Sequence, residues 1–187
     1  YIFIYMRKKQ VHFVGIGGIG MSALARYFLA QNWAVSGSDL TSGPITRDLA
    51  KVGIRVKIGH KAGNLPKNTY FIVFSRAVPA SNSEIRAARR QRVSCKSYAE
   101  VLGEITREHE TFAVTGAHGK STTTSLLALA MIRAGLDPTV IVGTKLWEFG
   151  DSNFYLGKSS RLVIEADDYA ETFLHTSPSH AIILNID

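Results

Sequence analysis

The sequence predicts an α/β fold in which a doubly wound parallel sheet is followed by the start of a second α/β domain. Short apolar runs typical of buried strands alternate with helical patterns along most of the 187 residues. Two glycine-rich turns, at residues 15–20 and 116–121, each lie between such a strand and such a helix. A polar stretch at residues 106–110 separates the two halves, so we predict domains at 1–107 and 108–187.

The first half alternates strongly enough to predict its elements one by one. Apolar residues with helical spacing follow the first glycine turn, and the continuous apolar run at 70–74 is typical of a buried parallel strand. Strands are predicted at residues 10–14, 34–38, 55–58, 70–74 and 93–95. Helices are predicted at residues 20–31, 46–52, 83–91 and 99–106.

The second half begins a new unit with its own strand, turn and long helix. Gly135, followed by Pro138, stops that helix, and residues 143–160 are rich in loop formers. Strands are predicted at residues 111–115, 139–142, 161–166 and 181–186, with a short one near Tyr155, and helices at 121–134 and 169–174. The chain stops at the carboxyl end of a strand, where α/β sheets place their ligand sites. We therefore expect a truncated product with an incomplete second domain.

Composition and charge narrow the class of partner. The chain has 22 basic and 15 acidic residues, a formal net charge of +7, which favours anionic ligands such as nucleotides. The basic cluster at 86–92 lacks interleaved aromatic residues, so we interpret it as a solvated helix face and expect no nucleic acid. The single Cys95 fits a reducing cytoplasm. The apolar residues 1–5 are too short for a signal or a membrane span, and we expect no membrane partner.

The first turn, Gly15-Ile16-Gly17-Gly18-Ile19-Gly20, fits the G-x-G-x-x-G pattern of a Rossmann-like domain. Its glycines permit a tight turn, close approach of a pyrophosphate and close packing of helix on strand. Asp39 stands about 20 positions further on, where a carboxylate can accept hydrogen bonds from a ribose. The pattern does not separate NAD, FAD and a nucleotide sugar, and a tight turn without a ligand remains the alternative.

The second turn, Gly116-Ala117-His118-Gly119-Lys120-Ser121, is the stronger signal. A lysine in this place reaches the outer phosphates of a nucleotide, and a serine at the helix start can ligate Mg²⁺. Two residues separate the glycines, whereas the general P-loop has four, so the sequence predicts a compact P-loop. The alternative is a capped helix with an exposed lysine.

Three carboxylates, Glu165, Asp167 and Asp168, follow the apolar run at 162–164. Hard oxygen ligands at a strand end near a phosphate-binding turn suit Mg²⁺. Asp167 or Asp168 can instead cap the next helix. Both interpretations hold together if Glu165 serves the metal and Asp168 the cap.

Taken together, these residues resemble the Mur ligases of peptidoglycan synthesis, and the nearest branch is the one that adds L-alanine. Besides the two turns, the resemblance rests on Gly37-Ser38-Asp39, Ile58-Gly59-His60, Ser75-Arg76-Ala77-Val78-Pro79, Glu165-Ala166-Asp167-Asp168 and Asn185-Ile186. These motifs occur in the family's order along the whole chain. The compact turn is also the form that the family uses.

The resemblance implies that the first domain binds the UDP part of a sugar nucleotide and not NAD. Gly17, Gly18 and Gly20 would hold the diphosphate, and Asp39 and His60 would line the uridine side. The residues implied for the UDP-sugar are Gly15, Gly17, Gly18, Gly20, Met21, Ser22, Asp39, His60 and Ser75.

For the second domain the resemblance implies ATP and Mg²⁺. Lys120 would hold the β- and γ-phosphates, Ser121 one Mg²⁺ and Glu165 a second, while His118 would face the muramoyl substrate or the transferring phosphate. Lys120, His118 and Glu165 are the implied catalytic residues. The residues implied for ATP are Gly116, Ala117, His118, Gly119, Lys120, Ser121, Thr122 and Asn185.

The implied reaction is ATP-dependent amide formation. The lactyl carboxylate of UDP-N-acetylmuramate takes the γ-phosphoryl group and becomes an acyl phosphate, which the amine of L-alanine attacks. No enzyme nucleophile is needed, because catalysis consists of positioning and charge neutralisation. A family member would continue beyond Asp187, so this chain is expected to bind the UDP-sugar without turning over.

Three alternatives remain open. A recycling ligase that attaches a whole tripeptide to the same sugar nucleotide shares these motifs. A dinucleotide-dependent oxidoreductase would explain the first turn but leaves Lys120, Ser121 and Glu165 unexplained. A non-catalytic nucleotide-binding module is the third.

Overall fold

The structure is a computed structural model that describes residues 8–166 and 172–186. Its internal contacts divide the chain into two compact units, Tyr1–Met21 with Ala25–Lys96 and Ser22–Leu24 with Ser97–Asp187. The helix at Tyr98–Arg107 belongs to the second unit, because it packs against the strand Glu110–Thr115 and the helix Thr172–His175. The limits 1–107 and 108–187 stay a prediction about domains. Asp167, Asp168 and residues 1–5 lie outside the described residues.

The first unit is built on a five-stranded sheet of order β3-β2-β1-β4-β5. β1 pairs in parallel with both β2 and β4, and β2 pairs in parallel with β3. The strands are β1 Gln10–Val14, β2 Ala34–Asp39, β3 Arg55–Ile58, β4 Thr69–Phe74 and β5 Ser94–Ser97. The helices are α1 Ile19–Ala30, α2 Pro44–Lys51 and α3 Ser83–Arg90, with a 3₁₀ turn at Ala62–Asn64.

The order of this sheet puts a topological switch point at β1. The chain leaves β1 toward β2 and β3 on one side and returns to β4 on the other. Open α/β sheets bind ligands outside the carboxyl ends of the strands at such a point. The predicted doubly wound fold is confirmed, and β1 and β3 have the predicted bounds.

The strands of the first unit are apolar in sequence because their side chains form its buried core. Val14 and Ile72 from neighbouring strands pack with Ile85 and Ala88 of α3, all at most 1% exposed. Cys95 is half-buried in β5, and burial raises the pKa of its thiol, which keeps it protonated. Its environment is that of a packing residue.

The second unit is built on a five-stranded sheet of order β10-β6-β9-β7-β8. β6 pairs in parallel with β10 and β9, whereas β7 pairs in parallel with β9 and antiparallel with β8. The strands are β6 Glu110–Thr115, β7 Thr139–Leu146, β8 Ser152–Tyr155, β9 Arg161–Glu165 and β10 His180–Ile183. The helices are α4 Tyr98–Arg107, α5 Lys120–Arg133 and α6 Thr172–His175, with a 3₁₀ turn at Trp147–Phe149.

The second part of β7 corrects the loop-rich interpretation of residues 143–160, whereas the short strand predicted near Tyr155 is present as β8. β7 continues to Leu146 instead of ending at 142, and the register shifts between Ile141 and Leu146 before the chain turns back. Exposed residues in the second part of β7 give no apolar run, which is why the pattern stopped short. In the part of the chain that the structure describes, no helix combines the length and apolarity that a membrane crossing requires.

Candidate functional site

The first glycine turn lies at the switch point of the first sheet. Gly15 follows β1 with φ +83°, and its N–H donates to the carbonyl of Ser38 at 2.8 Å. A Cβ on Gly15 would lie 2.9 Å from the Cβ of Ser75, the residue that follows β4. Both the backbone conformation and the available space therefore require glycine at this position.

Asp39 holds the turn in place. Its Oδ2 accepts the N–H of Gly17 at 2.7 Å, and its carbonyl accepts the N–H of Gly59 at 2.7 Å. The sequence assigned Asp39 to the uridine side of a ligand, and the structure gives its carboxylate a contact within the turn itself. Since His60 follows Gly59, the same contacts bring His60 to this edge of the sheet.

The remaining residues predicted for the UDP-sugar lie at the start of α1. Gly18 is the N-cap of the helix and Gly20 lies in its first turn, at the positive end of the helix dipole. Met21 and Ser22 are buried, with 3% and 1% of their surfaces exposed. The structure therefore brings the glycines, Asp39, His60 and Ser75 to one sheet edge and places Met21 and Ser22 inside.

Glu84 is a residue that the sequence interpretation missed. It lies in α3, which is basic overall; Arg86, Arg89 and Arg90 are exposed as expected, yet Glu84 is 0% exposed. Burial by itself would raise its pKa, but hydrogen bonds from His12, Ser38 and Asn64 outweigh burial and lower the pKa to about 2. The signal available in the sequence was Asn82 two positions earlier, whose side chain caps α3 and fixes where the helix begins.

The second glycine turn joins β6 to α5. Gly119 is the N-cap of α5 with φ +81°, a conformation that favours glycine. Lys120, the first residue of the helix, folds back so that its Nζ donates to the carbonyls of Gly116 at 2.7 Å and Ala117 at 3.4 Å. The ammonium group thus lies close to the backbone of the turn. Thr122 lies in the first turn of the helix and is exposed.

Residues from neighbouring strands flank this turn. Glu165 ends β9, and its Oε1 accepts the hydroxyl of Ser121 at 3.0 Å while its Oε2 accepts the N–H of Gly143 at 2.7 Å. Asn185 follows β10 on the other side of β6. Its Oδ1 accepts the N–H of His118 at 3.1 Å, and its Nδ2 donates to the carbonyl of His118 at 3.2 Å. The predicted ATP residues therefore meet at the carboxyl ends of β6, β9 and β10.

The pair of Ser121 and Glu165 passes a simple test for Mg²⁺. Adjacent oxygen ligands in octahedral Mg²⁺ coordination lie about 3.0 Å apart, given bonds of about 2.1 Å. The Ser121 hydroxyl and the Glu165 carboxylate lie 3.0 Å apart, so both can ligate a single ion as well as the two separate ions that the resemblance implies. Residues 8–166 and 172–186 contain no group of three or more His, Cys, Asp or Glu side chains placed to hold a metal. Mg²⁺ does not need one, because it keeps several waters and substrate phosphates as ligands.

The family comparison covers the first unit and its glycine turn. A model described as the Mur ligase family, catalytic domain, matches residues 10–110. The chain belongs to the Mur ligase family. The recognition of this family from sequence motifs is confirmed, and a ligase family rather than an oxidoreductase family accounts for the first turn.

Individual relatives refine the position of the chain within the Mur ligases. It is 48% identical over 186 residues to a UDP-N-acetylmuramate–L-alanine ligase of Myxococcus xanthus, covering 100% of this chain and 39% of that protein. The solved UDP-N-acetylmuramate–alanine ligase of Thermotoga maritima matches with a TM-score of 0.87 and 35% identity, over 93% of this chain and 40% of that one. The UDP-N-acetylmuramate:L-alanyl-γ-D-glutamyl-meso-diaminopimelate ligase of Neisseria meningitides matches with a TM-score of 0.85 and 28% identity, over 96% and 62%. The chain thus spans well under half the length of the alanine ligases it matches.

Proposed function

We propose that this chain binds the sugar nucleotide and begins the ATP site of a ligase that joins L-alanine to the lactyl carboxylate of UDP-N-acetylmuramate. The observation that carries the proposal is the grouping of Lys120, Ser121 and Glu165 around a compact glycine turn in a Mur ligase chain. Binding of a dinucleotide at the first turn would leave this grouping of lysine, hydroxyl and carboxylate at the second turn unexplained. The greater identity to alanine ligases than to the Neisseria enzyme favours L-alanine as the amino acid.

The first unit supplies the sugar-nucleotide site under this proposal. The N-terminus of α1 directs its positive dipole end to the edge where the first glycine turn lies, which suits a diphosphate. Asp39 fixes the turn through the N–H of Gly17 and offers a carboxylate beside it. The net charge of +7 adds a general attraction for phosphorylated ligands.

The second unit supplies the ATP site. Lys120 exchanges its contacts with the loop carbonyls for the β- and γ-phosphates, and its ammonium group neutralises charge as the phosphoryl group transfers. Ser121 and Glu165 would hold Mg²⁺, which would withdraw charge from the phosphate oxygens of ATP. Asn185 fixes the backbone of His118 through both of its amide contacts, and His118 would face the muramoyl substrate or the transferring phosphate.

The chemistry then requires orientation rather than an enzyme nucleophile. The lactyl carboxylate attacks the γ-phosphorus of ATP, the bond to the β-phosphate oxygen breaks, and ADP leaves as the acyl phosphate forms. The amine of L-alanine then attacks the acyl carbon, phosphate leaves, and the nitrogen gives up a proton to water as the amide forms. We assign the reaction to the cytoplasm, where ATP is available and a lone cysteine such as Cys95 stays reduced. The similarity to the Neisseria ligase supports a second candidate, transfer of a whole tripeptide to the same sugar nucleotide.

Thermal-shift titration with UDP-N-acetylmuramate, ATP–Mg²⁺ and NADH tests the proposal. At a ligand concentration of about 100 times Kd, a single-site ligand stabilises the folded chain by about 2.7 kcal/mol. We expect UDP-N-acetylmuramate and ATP–Mg²⁺ to raise the melting temperature independently and NADH to leave it unchanged. A rise with NADH alone would overturn the ligase assignment.

The Lys120→Met variant tests whether the thermal shift with ATP–Mg²⁺ arises from binding at the second turn. It should abolish the shift with ATP–Mg²⁺ and retain the shift with UDP-N-acetylmuramate, because the two ligands occupy different turns. Lys158→Met is the matched control, since Lys158 is an exposed lysine of the same unit. An ATP shift that survives Lys120→Met would remove the second turn from the ATP site.

A further inference from the structure

The carboxylate of Glu84 imposes a direction on the hydrogen bonds around it. Lys61 N–H at 3.0 Å and Asn64 Nδ2 at 2.8 Å reach its Oε1, while Ser38 Oγ at 2.7 Å and His12 Nε2 at 2.9 Å reach its Oε2. With a pKa of about 2, this buried group is ionised at neutral pH and can only accept hydrogen bonds. All four partners therefore donate to it.

The hydrogen bond between Ser38 and Glu84 also decides which atom donates in the hydrogen bond between Ser38 and His60. A hydroxyl has a single hydrogen, and Ser38 uses it on Glu84. Its oxygen must then accept from His60 Nδ1, which lies 2.9 Å away. The Nδ1 atom also lies 3.5 Å from Glu84 Oε1, and this second acceptor favours a proton at the same place. In a neutral ring, Nε2 is left with a lone pair.

The Nε2 atom of His60 is open to a ligand. Among the residues with described coordinates, none forms a hydrogen bond with it, and the His60 side chain keeps 11% of its exposure. Two hydrogen bonds tie this histidine to the first glycine turn, because Gly59 N–H donates to the carbonyl of Asp39 and the Asp39 carboxylate accepts from Gly17 N–H. A lone pair at this edge can accept an N–H or O–H group from a bound nucleotide.

We propose that Glu84 is a positioning residue for the sugar-nucleotide site, which fixes the proton of His60 on Nδ1 so that Nε2 accepts a hydrogen bond from the ligand. The inference rests on the proposed function, because it takes the ligand to be a uridine nucleotide. Such a ligand has two kinds of donor, the imide N–H of uracil and the hydroxyls of ribose. Glu84 itself touches neither and acts through Ser38.

The variant Glu84→Gln should exchange the donor and acceptor roles of Ser38 and His60 in the hydrogen bond between them. The N–H of Lys61 belongs to the backbone and cannot turn away, so the introduced amide oxygen stays toward Lys61 and the amide NH₂ faces Ser38. Ser38 then accepts from the amide and donates to His60 Nδ1, which moves the ring proton to Nε2. The protonated Nε2 of His60 would then face the N–H or O–H donor of the ligand. Because two donors cannot form a hydrogen bond, we expect the affinity for UDP to fall about tenfold.

Two measurements test this on the whole chain at about pH 8, where an ordinary imidazole is neutral. Long-range proton–nitrogen correlation NMR reports which ring nitrogen of His60 carries the proton, with His60→Gln used for assignment. Isothermal titration with UDP, with UDP methylated at the imide nitrogen and with 2′,3′-dideoxy-UDP reports affinity and separates the two kinds of donor. We expect a protonated Nδ1 in the unchanged chain and an affinity loss of about tenfold for one of the two analogues.

The matched control is Ser36→Ala, another buried serine of β2. Ser36 contacts His12 Nδ1 at 2.9 Å and Gln10 Nε2 at 3.1 Å, on the side of Glu84 away from His60. It should lower stability while leaving the His60 proton and the UDP affinity unchanged. If Ser36→Ala loses as much UDP affinity as Glu84→Gln, the loss comes from general destabilisation of the chain. That result would overturn the proposal.

The outcomes separate the inference from the proposed function. If the unchanged chain fails to bind UDP, the proposed function falls and the inference with it. If UDP binds but the His60 proton lies on Nε2, or both analogues bind as well as UDP, the inference alone is overturned. If Glu84→Gln does not fold, the NMR and analogue results on the unchanged chain still decide whether Nε2 of His60 accepts a hydrogen bond from the ligand. If it folds with the His60 proton and UDP affinity unchanged, the inference is wrong.

Discussion

At the scale of single residues, several buried polar side chains of the first unit are paired around one charge. Glu84 has no exposed surface, yet four donors surround its carboxylate, so it remains ionised inside the protein. A buried charge of this kind is costly to leave unpaired, and its donors come from three separate segments. The residue therefore links the carboxyl edge of β2 to α3 as well as orienting the ring of His60.

The pH dependence of stability should report this charge. The pKa of Glu84 is 4.5 in an ordinary environment and about 2 in the folded chain. Because the folded value is depressed, its stabilisation is fully present above pH 4.5 and is lost as the pH falls toward 2. The shift corresponds to about 3 kcal/mol in the free energy of unfolding. In urea titrations between about pH 6 and about pH 2, the stability difference between the unchanged chain and Glu84→Gln should shrink with falling pH.

A difference that stays constant over this range would contradict the assignment. Asp48→Asn is a suitable control, because Asp48 forms an exposed i,i+3 pair with Lys51 at 3.0 Å on α2. Exposed pairs of this kind contribute little, so this variant should follow the unchanged chain across the acid range.

At the scale of elements, local caps and turns decide where helices begin. α4 starts with a capping box, in which Ser97 Oγ accepts the N–H of Glu100 at 3.2 Å and Glu100 Oε2 accepts the N–H of Ser97 at 2.7 Å. This is why the helix begins at Tyr98, one residue before the predicted start at 99. The Ser-x-x-Glu spacing is visible in the sequence and would have located the start.

Removal of this cap should destabilise the chain. Ser97→Ala leaves the N–H of Glu100 without its side-chain acceptor, and we expect the free energy of unfolding to fall by about 1 kcal/mol. Ser94→Ala is the matched control, since Ser94 is an exposed serine at the start of the neighbouring strand β5. Chemical denaturation of both variants checks this, and equal stabilities would show that the capping box contributes nothing.

At the scale of the whole molecule, each unit places its glycine turn at the carboxyl end of a strand with neighbours on both sides. β1 lies between β2 and β4, and β6 lies between β9 and β10. Strand order therefore determines which loop residues assist each turn: Asp39 and Ser75 in the first unit, Glu165 and Asn185 in the second. The two sites are built on the same principle from different sequence motifs.

Hydrogen exchange should resolve the two sites within one chain. UDP should slow amide exchange at the first turn and around Gly59 and His60, and ATP–Mg²⁺ should slow it at the second turn and at Gly143. The reason is that each ligand stabilises the local contacts of the turn that it occupies. NADH serves as the control, and protection of the second turn by UDP alone would contradict the assignment of ligands to turns.

The local patterns predicted most of the fold. Apolar periodicity and glycine turns gave the strand and helix order, and the bounds of β1 and β3 agree with the structure. The second part of β7 was interpreted as loop because its exposed residues interrupt the apolar run, whereas the short strand predicted near Tyr155 is present as β8. Glu84 was hidden in a basic helix, since charge composition does not reveal which face of a helix is buried.

By itself, the sequence determined the two strand-turn-helix units, the compact form of the second turn and the Mur ligase family, because these depend on neighbouring residues and short spacings. Only the tertiary structure decided which distant residues meet. Ser38 reaches Glu84 across 46 positions, Ser121 reaches Glu165 across 44, and His118 reaches Asn185 across 67. These contacts depend on the order of strands in the two sheets, and strand order is set by packing over the whole chain rather than by any local pattern.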